Sequence, residues 1–174
     1  LHAEQIADCG GRSGACSAVR RAPLAVVFTD PQIILAGQNF AQITVATTHF
    51  AVGEVPFEDQ GRSRAILKNQ GALRLYAEYG SARLLGAEMI GPAAEHLGHL
   101  LSWSVQRGDS VQQMLGSPFC HLVIEEGLRT GLRSLRDALQ RLPAVPAPQS
   151  GRSLEAAQVA KAWQTGGSSS VDCR

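Results

Sequence analysis

His121 precedes Glu126 by five residues, between a stretch broken by Gly116, Ser117 and Pro118 and the start of a leucine-rich helical pattern. An imidazole is the side chain whose proton affinity suits exchange near neutral pH. A carboxylate on one of its nitrogens would fix the tautomer and stabilise the imidazolium. The pair is therefore a candidate acid–base dyad. The spacing also fits a plainer role, because a carboxylate in the first turn of a helix is favoured by the helix dipole with no chemistry attached. A second group, Glu95, His96 and His99, places two imidazoles three residues apart. No third metal ligand accompanies them, so the expectation is no metal and two histidines beside a leucine stripe. The four cysteines stand at positions 9, 16, 120 and 173, with no CxxC and no paired zinc spacing. Neither a disulfide framework nor a structural metal site is indicated, and a reducing cytoplasm is the expected compartment. Cys9 and Cys16 lie in a Gly-rich segment at a spacing compatible with a redox disulfide or with two inert thiols.

The elements that must position these residues follow from periodicity. Leu24 to Phe28 and Ile33 to Ala36 are short apolar runs separated by the Asp30-Pro31 turn signal, which predicts two strands. The β-branched run Ile43 to Thr48 predicts a third strand, and Glu58 to Ser63 a polar loop. Leu73, Leu75 and Ala77 alternate with Arg74, Tyr76 and Glu78 before a Tyr79-Gly80-Ser81 turn and a run from Arg83 to Ile90, the pattern of a β-hairpin. After Gly91 and Pro92, Leu97, Leu100, Leu101, Ser104 and Val105 fall on one face of a helix ending near Gly108. Asp109 is the expected cap of a short helix through Leu115. Leu128, Leu132, Leu135, Leu139 and Leu142 form a narrow stripe on a last helix, Ile124 to Arg141. Glu125 with Arg129 and Arg133 with Asp137 are available as i,i+4 pairs worth about 0.2 to 0.5 kcal/mol each.

Length and composition bound the rest. The chain has 174 residues, 44% hydrophobic and 18% charged, enough for one compact core. Its net charge of +1 gives no electrostatic case for nucleic acid or an anionic membrane surface, and no apolar run is long enough to span a bilayer. Residues 1 to 22 read as a short helical start followed by a Gly, Ser and Arg linker. After Pro143 come a PAVPAP linker, a short amphipathic stretch from Leu154 to Trp163, and a Gly and Ser run. With no initiator Met and no signal peptide, the chain reads as part of something longer.

The order of these pieces carries a resemblance. LAVVFTDPQIILAG, Leu24 to Gly37, resembles the start of the C-terminal interface domain of the FAD-dependent pyridine nucleotide-disulfide oxidoreductases, and Gly71 to Leu115 is similar to that family's hairpin, interdomain helix and short second helix. PFCHLVIEEGLRTGLRSL is similar to its His-Pro-x-x-x-Glu signature, with His121 and Glu126 at the matching positions. The likeness runs from about Pro23 to Leu142, and LHAEQIAD at the start resembles the end of the preceding flavin domain.

The resemblance implies an α+β fold, mainly an antiparallel sheet of about five strands flanked by helices, over residues 23–142. It implies a homodimer, and the leucine-striped helix suits the pairing surface. It implies that His121 exchanges a thiol proton at the partner subunit's flavin and disulfide while Glu126 holds its other nitrogen, as in the dihydrolipoyl dehydrogenases that the chain resembles most. FAD and NAD(P) are implied for the parent enzyme and none for this chain, which has no GxGxxG fingerprint and no Cys-x4-Cys pair. Glutathione reductase-like enzymes share the dyad, and a pairing module without catalysis is the reading from another class. Mercuric reductase-like enzymes commonly lack this histidine and end in paired cysteines, which this chain does not have. Two residues depart from the family pattern. Leu122 stands where the family usually has a proline, commonly in a cis peptide, and Cys120 stands immediately before the histidine.

Overall fold

The computed structural model describes residues 21–46 and 49–142. The expected linkers, the Leu154 to Trp163 stretch, Cys9, Cys16 and Cys173 lie outside the described residues. Five strands, β1 (Leu24–Val27), β2 (Gln32–Gly37), β3 (Phe50–Pro56), β4 (Ala72–Glu78) and β5 (Leu84–Gly91), form one sheet in the order β1-β2-β5-β4-β3, with every pairing antiparallel. Among the described residues five helices accompany it: α1 (Phe40–Val45), α2 (Gly61–Ala65), α3 (Ala94–Arg107), α4 (Val111–Leu115) and α5 (Glu125–Arg141). This is the α+β architecture expected from the sequence. No helix among the described residues is long and apolar enough to cross a membrane.

The alternating hairpin pattern places Leu73, Leu75 and Ala77 on the inner face of the sheet with Ile34, Ala36, Ala87 and Met89. Helices α3 and α5 cover that face, α3 over β1, β2 and β5 and α5 over β3 and β4. Helix α3 ends at Gly108, whose φ of 72° is the left-handed conformation that a glycine adopts without steric cost. Helix α5 seats directly on β3. A Cβ on Gly53 would lie 2.4 Å from Cβ of Leu135 and 2.7 Å from the carbonyl oxygen of Gly131. Leu128, Leu132 and Leu135 are buried in this core and Leu139 and Leu142 pack at its margin. The stripe is thus used inside the chain and is not the free pairing surface expected of it, because period-matched leucines on one helix find the chain's own apolar sheet first. Across the other face, Val27, Ile33 and Ile90 lie side by side in register and remain exposed.

Four local expectations are overturned. Ile43 to Val45 belong to helix α1, since Asn39 accepts a hydrogen bond from the Gln42 backbone N–H at 2.8 Å and Gln42 Oε1 accepts from the Asn39 N–H at 3.0 Å. This capping box, with Ile43 packed on Tyr76 and Leu85, outweighs a modest β propensity. The third strand lies instead at Phe50–Pro56, where Gly53, Glu54 and Pro56 obscure the alternation of Ala51, Gly53 and Val55. Glu58 to Ser63 is not wholly loop either, because Gln60 caps α2 by accepting from Ser63 N–H. The cap of α4 is Ser110, reciprocated by Gln113, while Asp109 pairs with Arg107 at 2.7 Å. On α5 neither expected i,i+4 ion pair forms among the described residues; Asp137 takes Arg136 at 2.9 Å and Arg129 lies over the Phe119 ring.

Candidate active site

His121 sits in the connection between α4 and α5, and Glu126 in the first turn of α5, so a short chain segment is enough to bring them together. Nδ1 of His121 lies 3.0 Å from Oε1 and 3.2 Å from Oε2 of Glu126. The backbone N–H of Val123 also donates to Oε2 at 3.4 Å. These donors hold the Glu126 carboxyl below the ordinary carboxylate range. The hydrogen bond from His121 is the largest cause; burial, next in size, opposes it, and the Val123 N–H and the charges of His121 and Arg129 add to the lowering.

An ionised carboxylate only accepts hydrogen bonds, so this contact places a proton on Nδ1 and, in the neutral ring, leaves the lone pair on Nε2. Nε2 has no hydrogen-bond partner among the described residues, and the His121 side chain is 79% exposed while that of Glu126 is 29% exposed. The arrangement can accept a proton at Nε2 from a group arriving from outside and can stabilise the resulting cation through Nδ1.

The loop that carries His121 is shaped by its neighbours. The His121–Leu122 peptide is cis, as is Asp30–Pro31. A Cβ on Gly61 would lie 2.8 Å from Cδ1 of Leu122, and one on Gly127 would lie 2.9 Å from the Phe57 ring. Gln60 donates from Nε2 to the Val123 carbonyl at 2.7 Å. No sequence signal marked Gln60, because its partner is distant in the chain. Exposed Cys120 helps line a pocket of about 460 Å³ with Leu100, Trp103, Phe119 and Leu128.

The two histidines of α3 contact different atoms of Glu95. His96 Nε2 lies 3.6 Å from Glu95 Oε1, and His99 Nδ1 contacts the Glu95 carbonyl oxygen at 2.7 Å, with its ring edge-on to Trp103. Among the described residues, no group of three His, Cys, Asp or Glu side chains is placed to hold a metal ion.

Comparison with known proteins agrees with this architecture. Residues 24–131 match the sequence profile of the pyridine nucleotide-disulphide oxidoreductase dimerisation domain. The chain is similar to dihydrolipoyl dehydrogenase 2 of Haloarcula marismortui, 27% identical over 64% of this chain and 24% of that protein. It is similar to mercuric reductase of Acidithiobacillus ferrooxidans at 29% identity, over 67% of this chain and 21% of that protein. It thus spans about a quarter or less of the length of these relatives. The HOCl-induced flavoprotein disulfide reductase RclA from Escherichia coli shares the fold with a TM-score of 0.64 at 17% identity, over 80% of this chain and 31% of that one. Since the profile match spans well over half of the chain, the chain belongs to the dimerisation-domain family of the pyridine nucleotide-disulphide oxidoreductases.

Proposed function

We propose that residues 23–142 are the dimerisation domain of a homodimeric, dihydrolipoyl dehydrogenase-like flavoenzyme, and that His121 and Glu126 are the acid–base pair it delivers to the partner subunit's active site. The observation that carries this reading is the 3.0 Å contact between His121 Nδ1 and Glu126, which leaves Nε2 open to an incoming thiol. Nε2 takes the proton as a dithiol becomes a thiolate, the species that attacks a disulfide, and returns it when a thiol is released. Glu126 stays ionised throughout and holds the imidazolium by charge.

The described residues do not fit a flavin or a nicotinamide nucleotide. Every strand pairing is antiparallel, so there is no βαβ unit whose helix N-terminus could cradle a pyrophosphate. In this reading FAD and NAD(P) belong to other parts of the enzyme, and the chain by itself is inactive, since it brings the pair but no Cys-x4-Cys centre. A second reading, another disulfide reductase or a mercuric reductase, is favoured by the similar identity to relatives of that name. The His121–Glu126 contact supports the dithiol reading over it.

The test is His121→Gln in the complete enzyme. Dithiol turnover should fall about 10²-fold or more with flavin content unchanged. Near-normal turnover would remove the acid–base role.

A further inference from the structure

Within the connection from His121 to Glu126, Val123 has both of its backbone groups taken. Its N–H donates to Glu126 Oε2 at 3.4 Å, and its carbonyl accepts from Gln60 Nε2 at 2.7 Å. Gln60 comes from a different part of the fold, the turn between β3 and α2, and is only 9% exposed. The orientation of its amide is determined from the opposite side. Ser63, fully buried, donates to Gln60 Oε1 from its backbone N–H at 2.6 Å and from its hydroxyl at 2.8 Å. Two donors on one end require the oxygen there, which leaves the NH₂ group facing Val123.

We propose that Gln60 is a positioning residue for the His121–Glu126 pair, holding the Val123 carbonyl so that the loop presents the imidazole and the carboxylate to each other. This inference rests on the acid–base reading of that pair. Gln60 touches neither His121 nor the substrate; it acts through Val123. The surrounding packing serves the same contact, since Phe57 closes against Gly127 and Gly61 against Leu122, one on each side of Val123 along the chain. Without the amide donor the Val123 carbonyl loses its short bond and keeps only the 3.4 Å contact from the Glu126 N–H. The Val123–Ile124 peptide is then less restrained, and the change in Val123 φ and ψ that this permits also reorients the preceding Leu122–Val123 peptide, whose N–H is the second donor on Glu126. A catalytic group displaced by about 1 Å commonly costs on the order of 10²-fold in rate.

Three variants of the complete enzyme test this. Gln60→Glu keeps the acceptor that caps α2 but replaces the NH₂ donor with an oxygen facing the Val123 carbonyl. Gln60→Asn keeps both groups and withdraws them by one methylene, which covers the case in which Gln60→Glu does not fold. Ser63→Ala removes one donor from the cap side and leaves the Val123 bond in place. Turnover should fall roughly 10- to 100-fold in both Gln60 variants, in kcat more than in KM, and stay within about twofold of the parent in Ser63→Ala. In the full 174-residue chain, the Glu126 carboxyl, followed by carbon NMR against pH, should move up toward its ordinary range in the Gln60 variants only. A purely structural Gln60 would lower stability and leave that titration where it was. If His121→Gln cuts turnover but both Gln60 variants keep the parent kcat and the parent Glu126 titration, the positioning role is wrong and the dyad stands. If His121→Gln itself leaves turnover intact, the acid–base reading fails and this role falls with it.

Discussion

His121 meets Glu126 through Nδ1 alone, at 3.0 Å, while the ring remains largely exposed. One side chain thus has a structural end and a free end. The carboxylate contact orders the ring, and Nε2 is available for proton exchange.

The charge on Glu126 should matter more than its shape. Glu126→Gln keeps an acceptor for Nδ1 but removes the charge that stabilises the imidazolium, so dithiol turnover in the complete enzyme should fall on the order of 10- to 100-fold with flavin content unchanged. Steady-state kinetics alongside the flavin spectrum checks this. Unchanged turnover would mean that the carboxylate serves only the helix start.

The lowered Glu126 carboxyl also sets an acid signature. A carboxyl whose folded value lies below its unfolded value contributes stability that is full above the unfolded value, about 4.3, and is lost as pH falls through the lower folded one. The difference in urea midpoint between the parent chain and Glu126→Gln should therefore hold steady above about pH 5 and vanish toward the acid end. A difference that grows on acidification would contradict the direction of the shift.

Tyr76 gives the alkaline counterpart. Its hydroxyl, fully buried, donates to Glu88 Oε2, and burial first, then that bond and the Glu88 charge, push its ionisation well above the ordinary phenol range. The contribution is present below the unfolded value, about 10, and is lost as pH rises beyond it. Absorbance titration should show Tyr76 ionising only as the chain unfolds, and Tyr76→Phe should remove that component. Reversible ionisation of Tyr76 near pH 10 in the folded chain would overturn the assignment.

The seating of α5 on β3 should tolerate little change. Gly53→Ala sets a methyl against the Leu135 backbone and the Gly131 carbonyl, neither of which is a flexible side-chain end, and should cost about 1–3 kcal/mol. Leu132→Ala, at a position with no exposure, should cost about 2–5 kcal/mol through the cavity it leaves. Denaturant unfolding of the chain measures both, and changes under about 0.5 kcal/mol would mean that this packing is not tight.

The pairing surface can be located by mass. Sedimentation of the 174-residue chain over a range of concentrations should show a dimer, as suits a dimerisation domain with Val27, Ile33 and Ile90 exposed on the sheet face opposite α3 and α5. A monomer at every concentration would place the pairing surface outside these residues.

Local pattern alone determined the β4–β5 hairpin and helices α3 and α5, and the five-residue spacing marked His121 and Glu126 as a candidate pair. In each, the interacting residues lie within a few positions of one another, so the period or the spacing already contains the geometry. Tertiary structure decided what depends on partners far along the chain. Ile43 follows a helix because the Asn39 box and a pocket over Tyr76 outweigh its β propensity. The α5 leucines turn inward because β3 and β4 offer them an apolar face, with Gly53 leaving room for Leu135. Gln60 reaches Val123 only once the sheet has brought the β3–α2 turn beside the start of α5. A side-chain amide carries no period and can pair with any backbone carbonyl, so its partner is chosen only when the fold closes around it.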